Sequence, residues 1–311
     1  MLVSKQKFLK QTNKTFIRKR TIYIYSPSSD KNSGGISALY NLYNFLNDKA
    51  INFNIHIFNY DIYNNISKFK LNDTDIVIYP EIIEGNPLNA KHVIRFILFS
   101  LELNNRNNIQ QTWNETDYII QWLKWDKNIS KYIQIYLPFI DLDYKNLNLE
   151  RIDGTCCLIK KGEFFYNIFD MINEINEKKY ILLDNLNKDQ IINKFNTCKY
   201  FYTYDPVTAY ILYAIICGCI PIIKPLKNYN KEEYIKTFLS CELCSLKNGF
   251  AYGDSNDEIE FAEKTLEIGK KEALTLLSSE VCKYYINKFI ILLNEQFIQN
   301  KNTLLTLQET L

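Results

Sequence analysis

Apolar residues recur along this chain with two periods. Short β-branched and aromatic runs, "TIYIYSP" from Thr21, "NFNIHIFNY" from Asn52 and "DTDIVIYPE" from Asp73, have the density of buried strands. Between them, "ISALYNLYNFLNDK" brings Ile36, Leu39, Leu42, Tyr43 and Leu46 onto one helical face. "NAKHVIRFILFSLEL" reads as a helix and "YIQIYLPFID" as the strand that closes the first half. The polar stretch "DLDYKNLNLERIDG" suits a linker, after which the rhythm restarts. "TCCLIKKG", "KYILLD", "KYFYTY" and "CIPIIK" are strands, and "EFFYNIFDMINEI" and "NKDQIINKFNTC" are helices between them. "GDSNDEIEFAEKTLEIGKKEAL" opens on a capping box, Ser255 with Glu258, and "SEVCKYYINKFIILLNEQFI" is a long amphipathic closing helix. Strands alternating with helices predict an α/β protein with parallel sheets covered on both faces. The expected division is a tail over 1–20, an α/β lobe over 21–145, a second over 146–280, and a closing helix and tail over 281–311, with a cleft between the lobes.

One stretch, "YTYDPVTAYILYAIICGCIPII" from Tyr202, sets a single carboxylate on the shoulder of an apolar run. Asp205 is a helix N-cap candidate, and Pro206 suits the first helical position because its missing N–H costs nothing there. The helix is expected to run to about Cys217, with Gly218 as a left-handed cap. Asp205 then stands at the C-terminal end of a strand, where open α/β sheets keep their ligand crevices.

The net charge of +2 conceals an asymmetry, because residues 1–20 hold seven Lys or Arg and no acid, which leaves the remainder at −5. A negative body argues against nucleic acid as a general partner. The tail lacks the apolar core of a signal peptide, and the chain has no apolar run long enough to span a bilayer, so a cytoplasmic protein is expected. Peripheral contact with anionic lipid through the tail, with Phe8, Leu9, Phe16 and Ile17 dipping in, stands beside a solvated terminus. All eight cysteines fall from Cys156 onward and are expected to be reduced thiols. Cys241 and Cys244 have C-x-x-C spacing, but no second pair or nearby His completes a zinc site, and the spacing reads as chance.

"DIVIYPEIIEGNPLNAKHVIRF", "YFYTYDPVTAYILYAIICGCIPIIKP" and "GFAYGDSNDEIEFAEKTL", in that order, resemble the GT-B fold glycosyltransferases, in particular those that build capsules, lipopolysaccharides and viral surface glycans. The resemblance implies two Rossmann-like lobes facing a cleft. It further implies a nucleotide-sugar donor held mainly by the second lobe, a glycan or lipid-linked acceptor facing the first, and no metal or other cofactor. Residues that fit it are Asp205, Glu81 and Lys160 for catalysis, and Gly34, Gly35, Lys161, Thr208, Tyr213 and Tyr252 for the donor. Helix N-termini favour diphosphates, so the helix after Asp205 offers the N–H groups of Val207, Thr208 and Ala209. Lys160 and Lys161 end the first strand of the second lobe, where an ammonium offsets charge on a leaving nucleoside diphosphate, and only one of them should point inward. Gly34 and Gly35 let the backbone approach a ligand, with Ser33 capping the helix, although a glycine pair also occurs in turns that bind nothing. Asn86 and Arg95 are polar candidates near Glu81, with Arg95 open to a simple packing role on a helix face.

Retaining members of the wider fold carry an E-x(7)-E pair, and counting from Asp205 the second place falls on Tyr213, which cannot accept two hydrogen bonds from a ribose diol. The expectation still leans to retention. An inverting mechanism would need a base in the first lobe, for which Asp30, Glu81 and His92 are candidates, while His56 reads as a strand residue. Two rivals remain: a transferase-like binding protein that turns nothing over, and a metal-dependent GT-A transferase using Asp141 and Asp143. The other D-x-D, Asp73 and Asp75, precedes its strand and stands on the wrong side for ligation.

Overall fold

A computed structural model of the protein describes residues 19–29, 33–49, 52–61, 69–103, 106–124, 132–138 and 141–298. The candidate base Asp30 and nearly all of the basic tail lie outside the described residues. The first lobe holds β1 (Arg20–Ser26), α1 (Gly34–Asp48), β2 (Phe53–Asn59), β3 (Ile76–Pro80), β4 (His92–Ile97), β5 (Tyr118–Gln121) and β6 (Tyr132–Gln134). The second holds β7 (Thr155–Leu158), α2 (Ile168–Lys178), β8 (Ile181–Leu182), α3 (Lys188–Thr197), β9 (Tyr200–Thr203), α4 (Tyr210–Cys217), β10 (Ile220–Ile223), α5 (Lys231–Phe238), β11 (Ala251–Tyr252) and α6 (Asn256–Leu276). The long α7 (Ser279–Phe297) follows.

Every strand pairing is parallel, so the chain is an α/β protein with one all-parallel sheet per lobe. The sheets are wound alike, with orders β2-β1-β3-β4-β5-β6 and β8-β7-β9-β10-β11. In each, the chain steps from its first strand to one neighbour and then returns to build on the other side. The reversal makes β1/β3 and β7/β9 topological switch points, where connections diverge beyond the strand C-termini and leave a crevice.

Two differences from the sequence expectation concern strands and helices of the first lobe. Residues 92–97 are the central strand β4 and not part of a helix, with Val93 to Ile97 buried. A short, mostly apolar run reads alike for a buried strand and a buried helix, and here the β-branched and aromatic content decides. The four-residue β5 carries too little pattern to stand out from the sequence. Arg95, 1 % exposed, sits within β4 rather than on a helix. Its Nε donates to Asp117 at 2.7 Å, its remaining nitrogens donate to the Ile83 and Gly85 carbonyls, and the guanidinium lies over the Tyr79 and Trp113 rings. A buried ion pair persists when its other donors are satisfied like this. Asn86 accepts from Tyr79 Oη and the Ala90 N–H, so both polar candidates fix the loop that follows Glu81.

In the second lobe Gly218 ends α4 with φ +84°, as its cap reading required. Arg151 explains why no other residue fits: its guanidinium gathers the Phe195, Cys198 and Cys217 carbonyls near the ends of α3 and α4, and a Cβ on Gly218 would stand 2.7 Å from its Nη2. α7 then joins the lobes. Near its start Tyr285 Oη donates to Gln134 Oε1 at 3.3 Å, and at its end Gln296 accepts from Tyr118 Oη while Phe297 packs on His92 and Tyr118. Among the described residues no helix is long and apolar enough to cross a membrane.

Gly218→Ala should destabilise the protein by about 1–3 kcal/mol, from positive-φ strain and the displaced guanidinium. Arg151→Met removes the same clash, so urea denaturation of the double variant should show less than the sum of the single losses.

Candidate functional site

The two switch points bring most of the expected site residues to strand C-termini. Glu81 follows β3 directly, the first turn of α1 follows β1 across a loop, Asp205 comes two residues after β9, and a 3₁₀ turn over Lys160–Phe164 follows β7. Glu81 is 5 % exposed and its Oε2 accepts the Leu98 N–H at 3.0 Å. Burial pushes its carboxyl up to about 7, against the Leu98 hydrogen bond and the Lys161 and Arg106 charges, which pull it down. Gly35 brings α1 beside the same place, because a Cβ there would touch Leu98 Cδ1 at 3.7 Å. Ser33 caps α1 through the Ile36 N–H, whereas Gly34 faces open space, so packing demands no glycine there. At the end of β1, Ser26 Oγ is buried with no hydrogen-bond partner among the described residues.

Asp205 is 2 % exposed. Its Oδ1 accepts the Val207 N–H at 3.1 Å. Burial raises its pKa, opposed first by the Lys161 ammonium and less by Lys160. The carboxylate does not cap an α-helix that starts at Pro206. Residues 206–209 are not helical, α4 begins at Tyr210, and its N-cap Ala209 offers no side-chain acceptor. The bond from Asp205 to the N–H two residues on closes an Asx turn, which competes with helix initiation. Thr208 Oγ1 accepts the Tyr210 N–H at 3.3 Å and so serves the start of α4.

The turn that carries the lysines is built from three sides. Asp184, which the sequence pattern did not single out, accepts the N–H groups of Ile159 at 2.9 Å and Lys160 at 2.7 Å. Gly162 lets the turn lie against Tyr204, where a Cβ would come within 2.7 Å of the Tyr204 Cβ. Asp205 faces the turn from the third side, where both the backbone N–H and the ammonium of Lys161 favour its charged form. The two exposed side chains then part: Lys160 Nζ lies 4.5 Å from the Tyr210 ring centroid, while Lys161 Nζ reaches the first lobe, 4.2 Å from the Phe99 ring. Of the pair, Lys161 is the one whose charge both buried carboxylates feel most among the lysines. Phe164 packs near Phe99 as well, with ring centroids 6.4 Å apart, so the lobes touch at this point.

Other candidates fall elsewhere. Tyr213 is buried in α4 and stacks on Tyr144 at 4.2 Å, facing the segment between the lobes. Tyr252 Oη accepts the Leu226 N–H and donates to the Tyr229 carbonyl, holding the loop after β10. His92 lies at the N-terminal end of β4, the opposite end from Glu81, and burial together with Arg20 and Lys91 lowers its pKa. His56 is exposed on β2 and stacks on Tyr23. Asp141 and Asp143 both bind the Lys188 ammonium, at 2.7 and 2.5 Å, so a metal ion there would have to displace it. Asp75 accepts the Thr21 and Asn72 N–H groups, and Asp73 pairs with Lys91 at the surface. A hollow of about 540 Å³ lined by residues 69–73 and 87–91 lies before β3 and β4, away from the switch-point residues.

Fold and site define a two-lobed, Rossmann-like α/β protein in which a buried carboxylate from each lobe answers to one lysine. No protein-family model matches the chain, and no curated protein matches it.

A carboxyl with a folded-state pKa above its unfolded value binds its proton more tightly when folded. Its contribution is therefore fully present below the ordinary 4.5 and is lost as pH rises to about 7. Glu81→Gln should abolish that loss. The stability difference between pH 5 and pH 8, from urea unfolding, should shrink by about 1–3 kcal/mol relative to the parent; an unchanged difference would mean Glu81 is ionised throughout.

Proposed function

We propose that the protein is a glycosyltransferase that moves a sugar from a nucleoside-diphosphate sugar to a hydroxyl of a glycan or lipid-linked acceptor. The observation that carries this reading is the convergence of Glu81 from the first lobe, and Asp205 with Lys161 from the second, at the switch points of two sheets. The resemblance of the "DIVIYPE", "YTYDPVTAY" and "GFAYGDSNDE" segments to GT-B enzymes supports the same class.

In this reading Glu81 is the base. A carboxylate with a pKa of about 7 is matched to removing a proton from an acceptor hydroxyl near neutral pH. The hydroxyl oxygen bonds to the anomeric carbon as the bond to the diphosphate oxygen breaks, and the proton goes to Glu81. The leaving diphosphate takes up charge beside Lys161, with Lys160 close by. A bound diphosphate also competes for the Lys161 ammonium, which raises the proton affinity of Glu81 at the moment a base is needed. Asp205 is a positioning residue here: enclosed against the backbone of Lys161 and Val207, it fixes the turn that aims the ammonium. With Glu81 as the base the reaction is a single displacement with inversion, in place of the retention to which the sequence comparison leans.

A thermal-shift screen against UDP-, GDP-, TDP- and CMP-sugars should find at least one diphosphate sugar that raises the melting temperature, with CMP-sugars inactive. Lys161→Ala should remove the shift. Glu81→Gln should keep it while turnover falls by about 10²–10⁴-fold, the usual weight of a general base. Turnover should survive EDTA, because Lys161 supplies the positive charge. A full panel without any shift, or turnover lost in EDTA and restored by manganese, would overturn the reading.

A further inference from the structure

Six of the eight cysteines are buried, and the two that reach the surface are Cys241 and Cys244. Their spacing reads as chance in the sequence, but the fold sets their sulfurs 3.5 Å apart. The turn between them is already closed on itself. Cys241 N–H donates to the Cys244 carbonyl at 2.8 Å, Ser240 and Ser245 form an antiparallel bridge around the pair, and the two serine hydroxyls bond to each other at 2.8 Å. Ser240 Oγ also donates to the Ile235 carbonyl in the last turn of α5, and Leu246 N–H donates to the Leu239 carbonyl. A disulfide needs its sulfurs about 2.05 Å apart, so the pair must close by only about 1.5 Å within a turn whose ends are fixed. Most of the ordering that a new loop would require has therefore been done by folding.

We propose that Cys241 and Cys244 are a redox-active dithiol, closed to an intramolecular disulfide by exchange with a small-molecule disulfide of the glutathione class. This site lies outside the sugar-transfer site and does not depend on it. The Cys244 thiol donates to the Cys241 sulfur and holds Cys241 well below the usual thiol range, while Cys244 is raised, so Cys241 attacks first. The Cys241 thiolate forms a bond to one glutathione sulfur, the glutathione S–S bond breaks, and one glutathione thiolate leaves. Cys244 then gives its proton to water and attacks the Cys241 sulfur, expelling the second glutathione thiolate. The protein loses two electrons and two protons, and the glutathione disulfide becomes two thiols. Tyr285, whose Oη accepts the Glu242 N–H, lies against Cys241, Tyr136 and Tyr284 face the pair as well, and Lys288 pairs with the intervening Glu242 carboxylate.

The full chain, incubated with excess oxidised glutathione and then alkylated in denaturant, should lose two of its eight labelling sites, and peptide mapping should join Cys241 to Cys244. Excess reduced glutathione should restore both. Cys244→Ser should instead accumulate a glutathione adduct on Cys241, and Cys241→Ser should form neither product at a comparable rate. At pH 7 Cys241 should alkylate about tenfold faster than an ordinary exposed thiol, in keeping with its larger thiolate fraction. Full retention of eight labelled thiols, a bridge between other cysteines, or a stable glutathione adduct on the parent protein would overturn the proposal.

Discussion

Two carboxylates that would each be costly to bury alone are made tolerable by one lysine and a few backbone N–H groups, and much of the molecule is arranged so that these meet. An ionised carboxylate without partners in a low-dielectric interior is forced toward its neutral form. Glu81 shows this directly, with one N–H donor and a rise to about 7. Asp205 is raised by burial as well, and the Val207 N–H and the charge of Lys161 oppose the rise. Lys161 belongs to the second lobe by sequence but rests on Phe99 of the first, and so one ammonium couples two sheets that share no strand pairing.

The surrounding structure serves the aim of that side chain. Asp184 and Gly162 set the turn, Arg95 and Asn86 hold the loop beyond Glu81, and α7 ties the lobes together through Tyr285 and Phe297. Arg95 shows the arrangement most fully, a buried guanidinium satisfied by the Asp117 carboxylate and the Ile83 and Gly85 carbonyls. Glu81 and Asp205 are different, because burial raises the pKa of both carboxyls. Functional sites are where such local conflicts between stability and chemistry collect.

Much of the architecture was legible in the residues because strands and helices of the second lobe are short, bounded by caps and separated by polar turns. Asn187, Ser255 and Gly218 act where their types suggest, although Glu258 turns to the Tyr252 N–H and Lys231 rather than closing its capping box. The first lobe was harder to read. Its β4 is largely apolar on both faces and loses the alternation that marks a strand, and in the second lobe α5 hides its Asn230 cap in a polar stretch. In the candidate site, position along the chain was enough to place Glu81, Asp205 and the two lysines at strand ends, since residues at the ends of parallel strands near a switch point converge whatever their detailed contacts. Side-chain direction was not legible. Tyr213 points into the core toward Tyr144, Asp205 closes a turn instead of heading a helix, and the role of Asp184 depends on a contact between strands distant in sequence.

The coupling of Glu81 to Lys161 is open to direct measurement by titrating the Glu81 carboxyl, using carbon NMR on labelled protein, in the parent and in Lys161→Met. An apparent pKa near 7 in the parent, rising further when the ammonium is removed, is the result expected. A Glu81 that titrates near the ordinary 4.5 and does not move in Lys161→Met would contradict the shared-lysine account.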